Sequence, residues 1–112
     1  MKIRSETIKD FTIIFLNGRM DISFVEAIED EFLEILASTK TKNLIMDITD
    51  VDYLSSSAIR IFANSIKFSK EKNIRLVVTG MSQSVEKIFE LVEMKSMFEV
   101  RKNNQEAIKH FS

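Results

Sequence analysis

Apolar and polar residues alternate at the start of the chain. Lys2–Thr7 and Phe11–Leu16 carry the period of two expected of strands with one buried face. Ile8-Lys9-Asp10 separates them as the turn of an antiparallel hairpin. The second strand is expected to end at Asn17-Gly18, where glycine tolerates a sharp exit. The period then lengthens. Ser23 with Glu26 three residues on has the capping-box pattern of a helix start. Val25, Ile28, Phe32, Ile35 and Leu36 follow at helical spacing. Glu29, Asp30, Glu31 and Glu34 lie between them as a solvated acidic face.

Leu44-Ile45-Met46, within Asn43–Asp47, is a continuous apolar run that fits an interior strand covered on both faces. Thr49–Leu54 connect it to a second helix that starts in Ser55-Ser56-Ser57 and runs to about Lys70. Its expected core stripe is Ala58, Ile59, Phe62, Ala63 and Ile66. Ile61 and Phe68, with Ser65 between them, fall off that stripe. They either pack beneath a neighbouring element or form an exposed apolar strip of the kind partner proteins use. Asn73-Ile74 lead into a third apolar strand, Leu76-Val77-Val78, closed by Thr79-Gly80. Ser82 caps a helix with Val85, Ile88, Phe89 and Val92 on its inner face, and Met94, Met97 and Phe98 read as adaptable core filler. Met97–Val100 is a candidate short strand, and Asn103 with Glu106 marks a last helix carrying Ala107, Ile108 and Phe111. The order β-β-α-β-α-β-α-β-α predicts an α/β fold: a mixed sheet with an N-terminal antiparallel hairpin, mostly parallel remaining strands and about four helices. Right-handed crossovers bring the strand ends and the following helix starts to one edge, where function is expected.

Composition narrows the chemistry. The length of 112 residues suits one domain over 1–112. With 45% hydrophobic and 29% charged residues it reads as a soluble globular protein; a monomer or weak dimer is expected. Sixteen Lys and Arg against seventeen Asp and Glu give a formal charge of −1, so no basic excess supports direct nucleic-acid binding. Absent cysteine excludes disulfides, thiolate metal sites and cysteine catalysis. His110 is the single histidine, and a histidine-ligated metal or a Ser-His-Asp hydrolase would need that tail to fold back into a pocket. Met1–Glu6 pass into the strand pattern without a signal-peptide core, and apolar runs such as Ile13–Leu16 are far short of the about 20 residues of a membrane span. The expectation is a cytoplasmic protein with no cofactor, no membrane contact and no enzymatic activity.

On the functional edge lie four aspartates, Asp21, Asp47, Asp50 and Asp52, beside the serine triplet. Two readings of this cluster compete. In one, Ser55 or Ser56 caps the helix and the aspartates supply turn hydrogen bonds. In the other, a spare hydroxyl accepts a phosphate. Such a group gains from the unpaired amides of the helix start and adds a charge of about −1.5 to −2. It can then repel a docked partner while the fold survives.

The residues themselves resemble a family. Gly18-Arg19-Met20-Asp21 before a helix is similar to the Gly-x-x-Asp segment of STAS domains, specifically bacterial anti-sigma factor antagonists. Asp47–Ile59 resembles that family's strand, loop and Asp-Ser-Ser-Gly-Leu motif, and Thr79-Gly80-Met81-Ser82 its next segment. The similarity spans essentially the whole chain, and three short motifs stand in register. The resemblance implies that Ser57 is the phosphorylated serine, Ser56 the hydroxyl before it and Asp21 an acidic neighbour, with Ser56 and Ser55 as alternative acceptors. It implies partner switching: the unphosphorylated protein binds an anti-sigma factor that is also a serine kinase, phosphorylation releases it, and a metal-dependent phosphatase resets it. The docking surface is expected at Asp21, Asp52, Tyr53, Ser55, Ser56, Ser57, Ala58, Ile59 and Ile61. The chain departs from the motif at two positions, with Ser55 for the aspartate and Ala58 for the glycine. Asp52 is positioned to compensate for the first, and the Ala58 methyl is a potential obstacle to a kinase. Three alternatives remain. A STAS scaffold binding a protein or nucleotide constitutively differs only at Ser57. A receiver-type phospho-acceptor explains the aspartates but not the missing acidic pair and lysine. A hydrolase using Ser57 has no visible base.

Overall fold

The computed structural model describes residues 3–109. Lys2, His110 and Phe111, which carry the first strand's expected start, the lone histidine and the end of the last stripe, lie outside the described residues. The chain forms β1 (Arg4–Ile8), β2 (Phe11–Met20), α1 (Ile22–Ser38), β3 (Asn43–Leu54), α2 (Ser56–Lys72), β4 (Arg75–Thr79), α3 (Gln83–Leu91), a 3-10 turn (Lys95–Met97), β5 (Glu99–Arg101) and α4 (Asn104–Lys109). The five strands lie in the order β1-β2-β3-β4-β5, with β1 antiparallel to β2 and all other neighbours parallel. This is the expected mixed sheet with an antiparallel opening hairpin.

Alternation along the strands builds two cores. Ile14 and Leu16 of β2, Leu44 and Met46 of β3 and Leu76 and Val78 of β4 pack with Val25, Phe32, Phe62 and Phe89 of α1, α2 and α3. The intervening Ile13, Ile45 and Val77 join Phe11 and Ala107 of α4 in a smaller cluster. Three consecutive crossovers of one hand put three helices on one face and leave α4 for the other. The hairpin turn is fastened to the start of β3, because Asp10 accepts from the Lys42 amide at 2.9 Å and from Asn43 Nδ2 at 3.0 Å.

Four details differ from the sequence reading. First, β2 and β3 continue past the rest of the sheet. Pairing of β3 with β4 stops at Asp47 opposite Thr79, whereas β2 and β3 pair on to Met20 opposite Leu54. Register shifts at Phe15/Asn17 and Gly18/Arg19 mark bulges in this two-stranded arm. The extra residues at both shifts lie in β3, and Gly18, with φ +81, stands inside β2 opposite them and is not its exit. Second, Asp21, not Ser23, caps α1, its carboxylate accepting from the Phe24 amide at 2.9 Å. Third, the buried stripe of α2 is Ala58, Ile61, Phe62, Ser65, Ile66 and Ser69. Ala63 is exposed and Ile59 half-buried. Buried serines hide that stripe from a search for apolar residues. Ser65 donates back to Ile61 O at 2.9 Å and Ser69 to Ile66 O at 2.8 Å, so their hydroxyls are satisfied within the helix. Fourth, Met97 and Val92 are exposed, while Met94 and Phe98 are core. Val92 is the residue at which α3 ends, so it has left the helix's inner face. Among the described residues no helix is long and apolar enough to cross a membrane.

Candidate functional site

The arm decides where the site stands. Because Met20 pairs with Leu54, β2 and β3 end at one level and release α1 and α2 side by side. Each helix opens on a polar cap immediately after that pair, Asp21 for α1 and Ser55 for α2. The Ser55 amide donates to Met20 O at 3.0 Å, tying the second start to the end of β2. Ser55 Oγ accepts from the Ala58 amide at 3.2 Å. Arg60 of α2 reaches Glu29 of α1 at 3.4 Å, so the helices are also bridged one turn further on.

The serine triplet is thereby divided. Ser55 is only 7% exposed and spends its oxygen on the cap. It does not suit the role of phosphate acceptor expected as an alternative, since modification would remove the bond that holds the helix start. Ser56 is exposed and Ser57 half-buried. Among the described residues neither hydroxyl has a hydrogen-bond partner. Ser56 and Ser57 occupy the first turn, where amides point out of the helix with no carbonyl to receive them.

The remaining expected contact residues fall into two groups. Asp52 is exposed, and Tyr53 and Ile59 are half-buried. Asp21 is half-buried, with one carboxylate oxygen committed to its cap. Two corrections concern the α2 stripe. Ile61 is 1% exposed and Ala58 fully buried, so both belong to the core and not to a docking surface. The pitch of α2 turns them inward. The Ala58 methyl therefore presents no obstacle on the surface, and it favours the helix. Phe68 is half-buried and packs against the main core.

Sequence reasoning missed two neighbours of the serines. Arg19 stacks its guanidinium 4.0 Å above the Tyr53 ring, a cation–π contact between residues that face each other only because the arm pairs them. Arg60 is the other, hidden until α1 and α2 are known to be adjacent. Asp47 and Asp50 do not join this edge. They line a cleft of about 560 Å³ with Arg4, Phe15, Asn17 and Thr49. Asp47 there accepts from the Thr49 amide at 3.0 Å and from Asn104 Nδ2 at 2.8 Å, so it anchors a turn and α4. No set of three His, Cys, Asp or Glu able to hold a metal occurs among the described residues.

The STAS domain family model matches residues 2–107. The chain belongs to the STAS domain family. Among curated proteins this STAS domain is similar to the anti-sigma-B factor antagonist of Staphylococcus aureus, 21% identical over 105 residues that cover 94% of this chain and 96% of that protein. Among solved structures it is similar to an anti-sigma-factor antagonist (STAS) domain protein from Planctomyces limnophilus, with TM-score 0.88, 19% identity and coverage of 98% and 97%. It is also similar to unphosphorylated SpoIIAA, with TM-score 0.80, 17% identity and coverage of 96% and 94%.

Proposed function

We propose that this STAS domain is a cytoplasmic anti-sigma factor antagonist that works by partner switching. In its unphosphorylated form it binds an anti-sigma factor that is also a serine kinase, using the edge where α1 and α2 begin. Phosphorylation of Ser57 releases it, and a metal-dependent serine phosphatase restores it. The domain acts as regulator and substrate, as a monomer or weak dimer, and catalyses nothing itself.

The observation that carries this reading is the division of labour in the triplet. Ser55 alone satisfies the cap, which leaves the hydroxyl of half-buried Ser57 unengaged. A phosphate added there meets the positive end of α2 and does not disturb the bond that starts the helix. It places a charge of about −1.5 to −2 where a partner docked on a neutral hydroxyl. The names of the relatives support the same role, and SpoIIAA, whose fold this chain shares, has been solved in unphosphorylated and phosphorylated forms, with TM-scores of 0.80 and 0.73 to this chain.

The test is direct. The protein is incubated with its anti-sigma kinase and ATP, and the phosphate is located by mass spectrometry. Label on Ser57, removed by the phosphatase, is the expected result. No label on any serine, together with unchanged anti-sigma binding by Ser57→Asp and Ser57→Ala, would leave only the constitutive scaffold. Label on an aspartate would point to the receiver chemistry instead.

A further inference from the structure

One turn beyond the serines stands an arginine with a weak hold on its present partner. Arg60 follows Ser57 by three residues and Ser56 by four on α2. At these spacings helical side chains are neighbours, with about 5–6 Å between Cβ atoms. Helical side chains also lean toward the N-terminus, so the long Arg60 stem covers the turn that bears both serines. Its Nη2 lies 3.4 Å from each carboxylate oxygen of Glu29, and the two side chains are 57% and 28% exposed. A long and solvated pair of this kind is readily exchanged. A phosphoserine offers it up to twice the charge and three acceptor oxygens, which suit the planar guanidinium fork.

We propose that Arg60 is the internal counter-ion of the phosphorylated state. When Ser57 carries phosphate, the guanidinium leaves Glu29 for the phosphate, and the Glu29 carboxylate is left uncovered on α1. The inference rests on Ser57 as the acceptor. It adds that the switch has a second output. Unphosphorylated, the α1–α2 surface shows a neutral Arg60–Glu29 pair to a partner. Phosphorylated, it shows a phosphate partly neutralised at its own position and a newly bare anion on the neighbouring helix. Repulsion is thus carried from α2 onto α1 without movement of either backbone.

The test installs phosphoserine at position 57 by codon reassignment, so no kinase is needed. The second ionisation of the phosphate is followed by ³¹P NMR in the wild-type background and in Arg60→Gln and Arg60→Lys. The ordinary value is about 6. Arg60 is expected to lower it by about half a unit or more relative to Arg60→Gln, with Arg60→Lys between them. Glu29→Gln, which removes the competing carboxylate, should lower it further. The neighbouring charges Asp21, Asp52 and Arg19 and the α2 amides are common to all variants, so the difference isolates residue 60. Equal values in wild type and Arg60→Gln would overturn the proposal, since the arginine would then have stayed on Glu29. A chain that no kinase labels would count against the partner-switching reading and leave this measurement standing.

Discussion

The starts of α2 and α3 are built from the same parts. Each has a serine cap, Ser55 or Ser82, whose hydroxyl accepts from the amide three residues on at 3.2 Å. Each has another serine two residues past the cap, Ser57 or Ser84, and a cation three residues after that, Arg60 or Lys87. Their surroundings differ. The α2 start sits at the end of the β2–β3 arm beside α1, with its cap buried and its second and third hydroxyls unengaged. At α3 the Ser84 hydroxyl lies 3.2 Å from Ser82 Oγ and is drawn into the cap. The chain reaches that start through Gly80, at φ +76, where a Cβ would come within 2.0 Å of Thr49 Oγ1. Capping chemistry therefore marks a helix start in both places. Only at α2 do two helix starts meet and a hydroxyl remain unengaged, which is where the proposed docking edge lies.

The largest expected effect tests what the two helices share. Phe62 of α2 and Phe89 of α3 meet edge to face at 5.0 Å, and Phe98 packs 5.2 Å from Phe89. Phe62→Ala should cost about 3–5 kcal/mol, read by urea unfolding. Amide exchange at Ala58 and Val85 should accelerate together, because one aromatic cluster supports both helix starts. Acceleration at Ala58 alone would show that the two starts are braced separately.

The next effect separates the starts. Ser57→Asp should weaken anti-sigma factor binding by about tenfold or more, since like charge against a docked partner is costly. Ser84→Asp, an equal charge at the matching place on α3, should change it by no more than about twofold. Circular dichroism should be unchanged in both variants. Titration calorimetry with the two proteins gives the comparison in one experiment. Equal losses would mean that net charge, not the α1–α2 edge, governs binding.

The caps themselves rank third. Ser55→Ala and Ser82→Ala each remove one hydrogen bond, worth about 1 kcal/mol at a helix start. Ser55→Ala should cost the more of the two, because the bond it breaks is buried and leaves the Ala58 amide without water. Thermal unfolding of both variants checks the order.

Much of this arrangement was legible in the sequence, and the lapses have physical causes. The order of strands and helices followed from periodicity, and Ser82 and Asn103 announced their helices correctly; Asn103 accepts from the Glu106 amide at 2.9 Å. Thr49–Leu54 hides its strand because it carries two aspartates and its buried residues, Val51 and Leu54, stand three apart, as Ile48 does from Val51. A strand shows that spacing only when bulges shift its faces. The α2 stripe slipped because serine was counted as polar, although Ser65 and Ser69 are buried on hydrogen bonds to their own helix. That slip left Ile61 off the expected core stripe, whereas Ala58 was on it and entered the docking surface only through the motif. Gly18-Arg19-Met20-Asp21 and the serine triplet pointed to the edge where α1 and α2 begin because short polar motifs at helix starts depend on local backbone alone. Arg60 follows Ser57 by three residues on one helix, but its pairing with Glu29 and the stacking of Arg19 on Tyr53 depend on which elements lie side by side, and no local pattern carries that.

The smallest effect distinguishes the ion pairs that flank the two starts. Lys95 lies 2.7 Å from Glu86 and 3.8 Å from Glu90, so it closes the outer side of α3 as Arg60 and Glu29 bridge α2 to α1. The hydrogen bond to Glu86 raises the Lys95 ammonium above its ordinary value near 10.5. A group whose pKa is raised by folding stabilises fully below its unfolded value and loses that contribution as pH rises through the folded one. The difference in melting temperature between wild type and Lys95→Met should therefore be constant up to about pH 10 and close above it. Arginine stays protonated throughout this range, so the difference between wild type and Arg60→Gln should remain flat. A Lys95 difference that also stayed flat would mean that the side chain contributes through packing of its stem on α3, and that the charge pairing is incidental to stability on that side of the molecule.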